Sequence, residues 1–122
     1  MCLTNLTTKK AKRAKEDITC YKVLKTMTMF SPFQKFKYSF NKKVESALRH
    51  NEYIPKEVYI GLHTFKTLEA AEHCLRLQGG NHKESIFEAT IPKGAKYYEG
   101  LFDHIEGLPS YASTELIIKK AL

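Results

Sequence analysis

The sequence has no tryptophan, only three cysteines among 122 residues, and no long apolar run. Each scarcity excludes something. Cys2, Cys20 and Cys74 form no CxxC pair and are odd in number, which argues against a disulfide framework or a cysteine zinc site. Cys20 and Cys74 read as small buried apolar residues in a reducing compartment. No stretch approaches the ~18 apolar residues of a membrane-spanning helix. No positively charged region followed by an apolar core comes after Met1, so the expected location is the cytoplasm and no membrane partner is expected. His50, His73, His82 and His104 are scattered without the H-E-x-x-H spacing that puts two ligands on one helical face, and no metal is expected. A G-x-S-x-G elbow is missing, which removes the usual hydrolase nucleophile. Gly79-Gly80 lacks the Lys-Ser/Thr of a phosphate loop and ends a helix instead of opening one. No cofactor is expected.

Acidic residues are scarce in the first third. Residues 1–43 carry eleven Lys or Arg against two acids, or +9, while residues 44–122 carry nine against eleven, or −2. The basic excess therefore belongs to the N-terminal end, with Lys9, Lys10, Lys12, Arg13 and Lys15 as candidates for contacting nucleic acid. A solvated basic tail is the plainer reading. Residues 1–17 show no apolar stripe to dock and are expected to form a flexible arm, with residues 18–122 as a single domain.

Seven Tyr and seven Phe supply bulk for a core. Residues 18–24, ITCYKVL, read as a strand, with Ile18, Cys20 and the stem of Lys22 on one face and Thr19, Tyr21 and Val23 on the other. Phe36, Tyr38 and Phe40 alternate with polar residues as in a half-buried strand. Residues 42–52 read as extended or irregular. Residues 58–65, VYIGLHTF, form a strand in which Gly61 marks a bulge or a close backbone approach. Thr67 caps a helix to about Gln78, with Leu68, Ala71, Cys74 and Leu75 as its buried stripe. Strands follow at 85–91, 95–99 and 113–119, with a turn at Pro92-Lys93-Gly94 and a loop at 100–110. The order predicts an α+β fold: a small, mostly antiparallel sheet packed with one main helix.

Candidate chemistry is sparse. His63, beside Gly61, reads either as a ligand-contacting or acid–base histidine or as a strand histidine satisfied by a neighbour's carbonyl. Tyr97 and Tyr98 point to opposite faces, so one belongs to the core and the other is free to stack on a base. Glu115, flanked by apolar residues, reads as a site carboxylate or a solvent-facing strand position.

The segments GLHTFKTLEAA, ATIPKGAKYYEG and YASTELII resemble a set of small proteins of gut Bacteroidetes and their phages. These share a CYKVL-like opening, a G-[LF]-H-[ST]-F strand and an IPKG-x-x-YYEG segment, over about residues 16–119, and the resemblance brings no activity with it. A looser resemblance is to the ADP-ribosyltransferase-like fold, through a glycine-bearing strand followed by a T-x-E-x-A-like helix. It implies that Lys22, His63 with Thr64, and Glu115 would take the NAD-gripping positions, with Lys22 standing where that family has Arg or His. Two functions follow as expectations. The first is a non-catalytic binding module, phage- or mobile-element-borne, for a nucleotide-like ligand, a nucleic acid or a host protein; a homo-oligomer is compatible with it. The second is a minimal NAD-using ADP-ribosyltransferase-like enzyme. Convergence of Lys22, His63 and Glu115 on one cleft separates the two.

Overall fold

The structure is a computed structural model that describes residues 3–4, 11–25, 38–50, 58–77, 84–102 and 108–122. Among these residues the fold is a mostly antiparallel sheet with one short helix, the α+β class expected. In chain order the strands are β1 (Leu3–Thr4), β2 (Lys12–Arg13), β3 (Ile18–Lys25), β4 (Lys43–Glu45), β5 (Arg49–His50), β6 (Val58–Ile60) and β7 (Leu62–Phe65). Helix α1 (Leu68–Leu77) precedes β8 (Glu84–Ile91), β9 (Lys96–Phe102), β10 (Leu108–Ser113) and β11 (Glu115–Ala121).

The strand order is β4-β11-β8-β3-β7-β10-β9-β1-β6-β5, with β2 pairing β9 off this path. β10 and β11 are one run of chain bent at Thr114, where the Thr114 N–H donates to Lys96 O and the Ser46 N–H donates to Thr114 O. β10 pairs with β7 and β9, while β11 pairs with β8 and β4, so the path β11-β8-β3-β7-β10 begins and ends on the same bent run. The sheet thereby curls round an interior. Alternation sends Cys20 and Leu24 of β3, Leu62 of β7, Phe87, Ala89 and Ile91 of β8, and Leu116 and Ile118 of β11 into one buried cluster there.

The opposite face of β3 and β8 carries α1. Val23, Phe65 and Ile86 pack against Ala70, Ala71 and Cys74 of the helix, with Leu75 half-buried beside them. Leu68, expected in the buried stripe, is exposed, and Ala70 takes its place. The helix start is as expected: the Ala70 N–H donates to Thr67 Oγ1 at 3.1 Å. Thr67→Ala should therefore cost about 1 kcal/mol in urea unfolding, since it leaves a first-turn N–H without its acceptor. The Gly79-Gly80-Asn81 stop lies outside the described residues.

Several expectations are corrected. Residues 11–17 are tied to the sheet instead of standing off it. Lys12 and Arg13 pair with Tyr97 and Lys96, Ala14 is buried and exchanges backbone hydrogen bonds with Gly94 and Ala95, and Asp17 accepts from the Lys93 N–H at 2.9 Å. The missing apolar stripe does not matter here, because backbone pairing holds the segment. The strand expected over 36–40 lies partly outside the described residues. Within them Tyr38 and Ser39 belong to no strand, and Phe40 makes a single parallel bridge to Ile118 with its ring exposed. The loop expected over 100–110 is shorter, for β9 runs on to Phe102 and β10 begins at Leu108; Pro109 stands opposite Leu101 in their ladder. Strand 58–65 breaks in two at Gly61, whose φ of +156° and nearness to Leu48 favour glycine: an added Cβ would lie 2.9 Å from Leu48 Cδ1.

Candidate functional site

The residues singled out by the sequence separate into a buried group and an open groove. Lys22 belongs to the first. It shares a face with Cys20 and Leu24 and is only 5% exposed. Its ammonium donates to the His63 backbone carbonyl and sits 5.6 Å from the centre of the Tyr38 ring. No carboxylate pairs with it among the described residues. Burial is the main cause that pulls the Lys22 amine down to about 8. The same surroundings push the Cys20 thiol up to about 12, against the smaller opposing effects of the Thr64 hydroxyl and the Lys22 charge. Tyr38 is also raised by burial, and its hydroxyl has no hydrogen-bond partner among the described residues.

His63 lies on the other face of β7 from Leu62 and Thr64. Its Nδ1 is 3.1 Å from Gly61 O and its Nε2 is 3.3 Å from Val58 O. A neutral imidazole carries one N–H, so only one of these carbonyls receives a proton from it at a time. Two carbonyls favour the charged ring, but burial and the nearby Lys22 charge outweigh them and bring His63 down to about 4. This is the carbonyl-satisfied strand histidine of the plainer reading.

Glu115 is elsewhere. Its carboxylate is 2.8 Å from the Lys43 ammonium, and it stands opposite Glu45 in the β11–β4 ladder. Lys22 stands opposite Phe87, and Phe87 opposite Ala121, six residues further along β11 than Glu115. That is about 20 Å of strand at ~3.3 Å per residue. The structure thus brings Lys22 against the backbone of β7, with Thr64 on the interior face and the His63 ring on the other, and leaves Glu115 at a distance.

The open groove, about 920 Å³, lies where β2 meets β9. Lys12, Arg13 and Lys15 supply cations, and Glu16 and Asp17 supply acids. Ile18 and Tyr97, both half-buried, contribute the apolar wall. Tyr97 is braced edge-to-face by Tyr111, with ring centres 5.7 Å apart and planes at 83°. Tyr98 faces away and is buried with Val58 and Ala112, while Tyr97 is half-buried against the main core cluster. Arg13 stands directly opposite Lys96. Like charges in such a pair repel. Lys93 is exposed, and its backbone N–H donates to the Asp17 carboxylate. Among the described residues none of Lys12, Arg13, Lys15, Lys93 and Lys96 is in an ion pair. Arg13 spends one N–H on Gly94 O at 3.0 Å.

Lys9 and Lys10 lie outside the described residues. No three His, Cys, Asp or Glu side chains gather into a metal-holding group among the residues described, and no helix there is long and apolar enough to cross a membrane. No protein-family model, curated protein or solved structure matches the chain.

Sequence reasoning named Lys12, Arg13, Lys15 and Tyr97 separately and did not see that they adjoin. The groove depends on pairing between residues more than eighty positions apart, which no local pattern reports.

Proposed function

We propose that the protein is a non-catalytic binding module whose groove takes a phosphate-bearing ligand of the nucleotide or nucleic-acid kind. The observation that supports this reading is the gathering of Lys12, Arg13 and Lys15 in the groove, none of them in an ion pair among the described residues, with Lys96 opposite Arg13 in the ladder. The arrangement costs folding energy, and an anion bound there would relieve it. Asp17 is held by the Lys93 backbone N–H and, with Glu16, offsets part of the positive charge, leaving three cations against two acids in the groove. The ADP-ribosyltransferase-like reading has no comparable support: its lysine amine is buried and engaged, and its glutamate is paired with Lys43.

The test is a titration of the full chain with inorganic tripolyphosphate at low salt, followed by backbone amide NMR. Shifts concentrated in residues 12–17 and 93–97 are expected. Arg13→Ala and Lys15→Ala should each weaken binding roughly two- to fivefold, the scale of one exposed charge contact. Arg13→Glu should abolish it while leaving the protein folded, since it replaces a repulsive cross-strand pair with an attractive one. Shifts spread evenly over all lysines, unaffected by these substitutions, would sink the reading.

A further inference from the structure

The groove offers more than charge, and its layout narrows the ligand class. Resting on the phosphate-binding reading above, we propose that the ligand is single-stranded nucleic acid, with one base stacked on Tyr97 and the backbone phosphates running along Lys12, Arg13 and Lys15.

Three features carry this. The first is the aromatic wall. Among the described residues Tyr97 presents the groove's one ring, set edge-to-face against Tyr111 and packed on the core cluster beneath. Ile18 continues the apolar surface beside it. A flat nucleobase covers such a surface in any sequence, because every base has a π-face.

The second is the position of the nearest cation. Lys12 is the direct cross-strand partner of Tyr97. Paired residues project from the same face of the ladder with Cβ atoms about 5 Å apart. A base on the ring therefore carries its own phosphate to within reach of the Lys12 ammonium.

The third is the spread of the remaining charge. Arg13 and Lys15 line the groove at separate points of the β2 segment, and Lys96 stands across the ladder from Arg13. A mononucleotide gathers its phosphates at one point and leaves most of these cations unused, whereas a strand places a phosphate at each nucleotide. A duplex meets the cations with its phosphate ridge but keeps its bases stacked inside, out of reach of a recessed, half-buried ring. Only a single strand uses both ring and charges. The Glu16 carboxylate repels phosphate, so the backbone path lies on the Lys12–Lys15 side of the groove.

Fluorescence anisotropy with the full chain tests the inference. The probes are a fluorescein-labelled 12-nucleotide single strand of mixed sequence, a hairpin duplex of the same sequence, and tripolyphosphate as competitor. The single strand is expected to bind at least tenfold more tightly than the duplex. Its affinity should fall with salt at a log–log slope of about −2, as three phosphate contacts on a single strand require. Tyr97→Ala should weaken it roughly five- to a hundredfold, the worth of one stacked base, and Tyr97→Phe should restore it. Tripolyphosphate binding to the unsubstituted chain reports separately on the phosphate-binding reading. Tyr97→Leu, which keeps bulk without the ring, carries the same expectation if the alanine variant does not fold. Equal affinity for duplex and single strand, or indifference to the loss of the Tyr97 ring, overturns the single-strand assignment even where tripolyphosphate still binds. Binding of neither oligonucleotide nor tripolyphosphate overturns both this inference and the reading it rests on.

Discussion

Between pH 6.5 and pH 4 the protein is expected to lose about 3 kcal/mol of stability through His63 alone. In the unfolded chain the ring takes up a proton near its ordinary value of 6.5, while in the folded protein it stays neutral down to about 4. Across that window the unfolded state binds the extra proton, so stability falls as pH falls; above it both states are neutral and His63 contributes no slope. The cause is structural. The ring is 7% exposed, and the Lys22 charge opposes a second cation. Urea unfolding at pH 7, 5.5 and 4 measures the effect, and His63→Gln, which keeps a hydrogen-bonding group in the site, should flatten it. Parallel pH curves for the two proteins would show that the folded structure does not hold the ring neutral and buried.

The second large effect is at the alkaline side and has the opposite origin. Lys22 begins to lose its proton at about 8 in the folded protein but only near 10.5 when unfolded. Below pH 8 the buried charge weighs fully against folding; between pH 8 and 10.5 that weight is lifted, by about 3 kcal/mol. Two neighbours act against the gain. The Cys20 thiol, held protonated up to about 12, costs stability as pH rises above its ordinary 9, and the buried Tyr38 hydroxyl does the same above 10. The wild-type curve is therefore blunted, and the Lys22 contribution is read from the difference between wild type and Lys22→Met. Methionine keeps the length of the side chain and removes its charge. Urea unfolding from pH 7 to 10.5 should show the wild type gaining on Lys22→Met by about 3 kcal/mol over that range. A constant difference between the two would mean that the amine is already neutral at pH 7 or is reached by water.

Most of the strands and the helix were legible because their signals are local. Ile18–Lys25 alternates between interior and helix-facing positions as its sequence suggests, and Thr67 caps α1 through its own hydroxyl. The break at Gly61 was marked by the glycine itself. Errors came where pairing supplied what composition lacked. Lys12 and Arg13 have nothing to bury, yet β9 offers them a partner, and backbone hydrogen bonds form without regard to side chains. Pro109 suggested a loop, yet it is exposed within β10 opposite Leu101. Leu68 fits the helical stripe by spacing, but it opens the helix at a point where the sheet no longer covers it.

The candidate residues divide in the same way. The sequence by itself determined the basic excess of the first third and a tyrosine pair whose members take opposite faces. It also determined the antiparallel, one-helix class, because period and turn chemistry are written in neighbouring residues. Tertiary structure alone decided that Lys22 is sealed inside the curled sheet while Lys12 lies beside Tyr97 in an open groove. Local sequence marks Lys22 as a strand residue and Lys12 as part of a basic segment, but it does not show that one is sealed and the other lies beside a tyrosine. Their fates differ because β3 is paired on both edges in the middle of the curled sheet, whereas β2 is a two-residue strand paired only with β9. Burial of a side chain is set by what the rest of the chain lays over it, and that depends on register between distant residues.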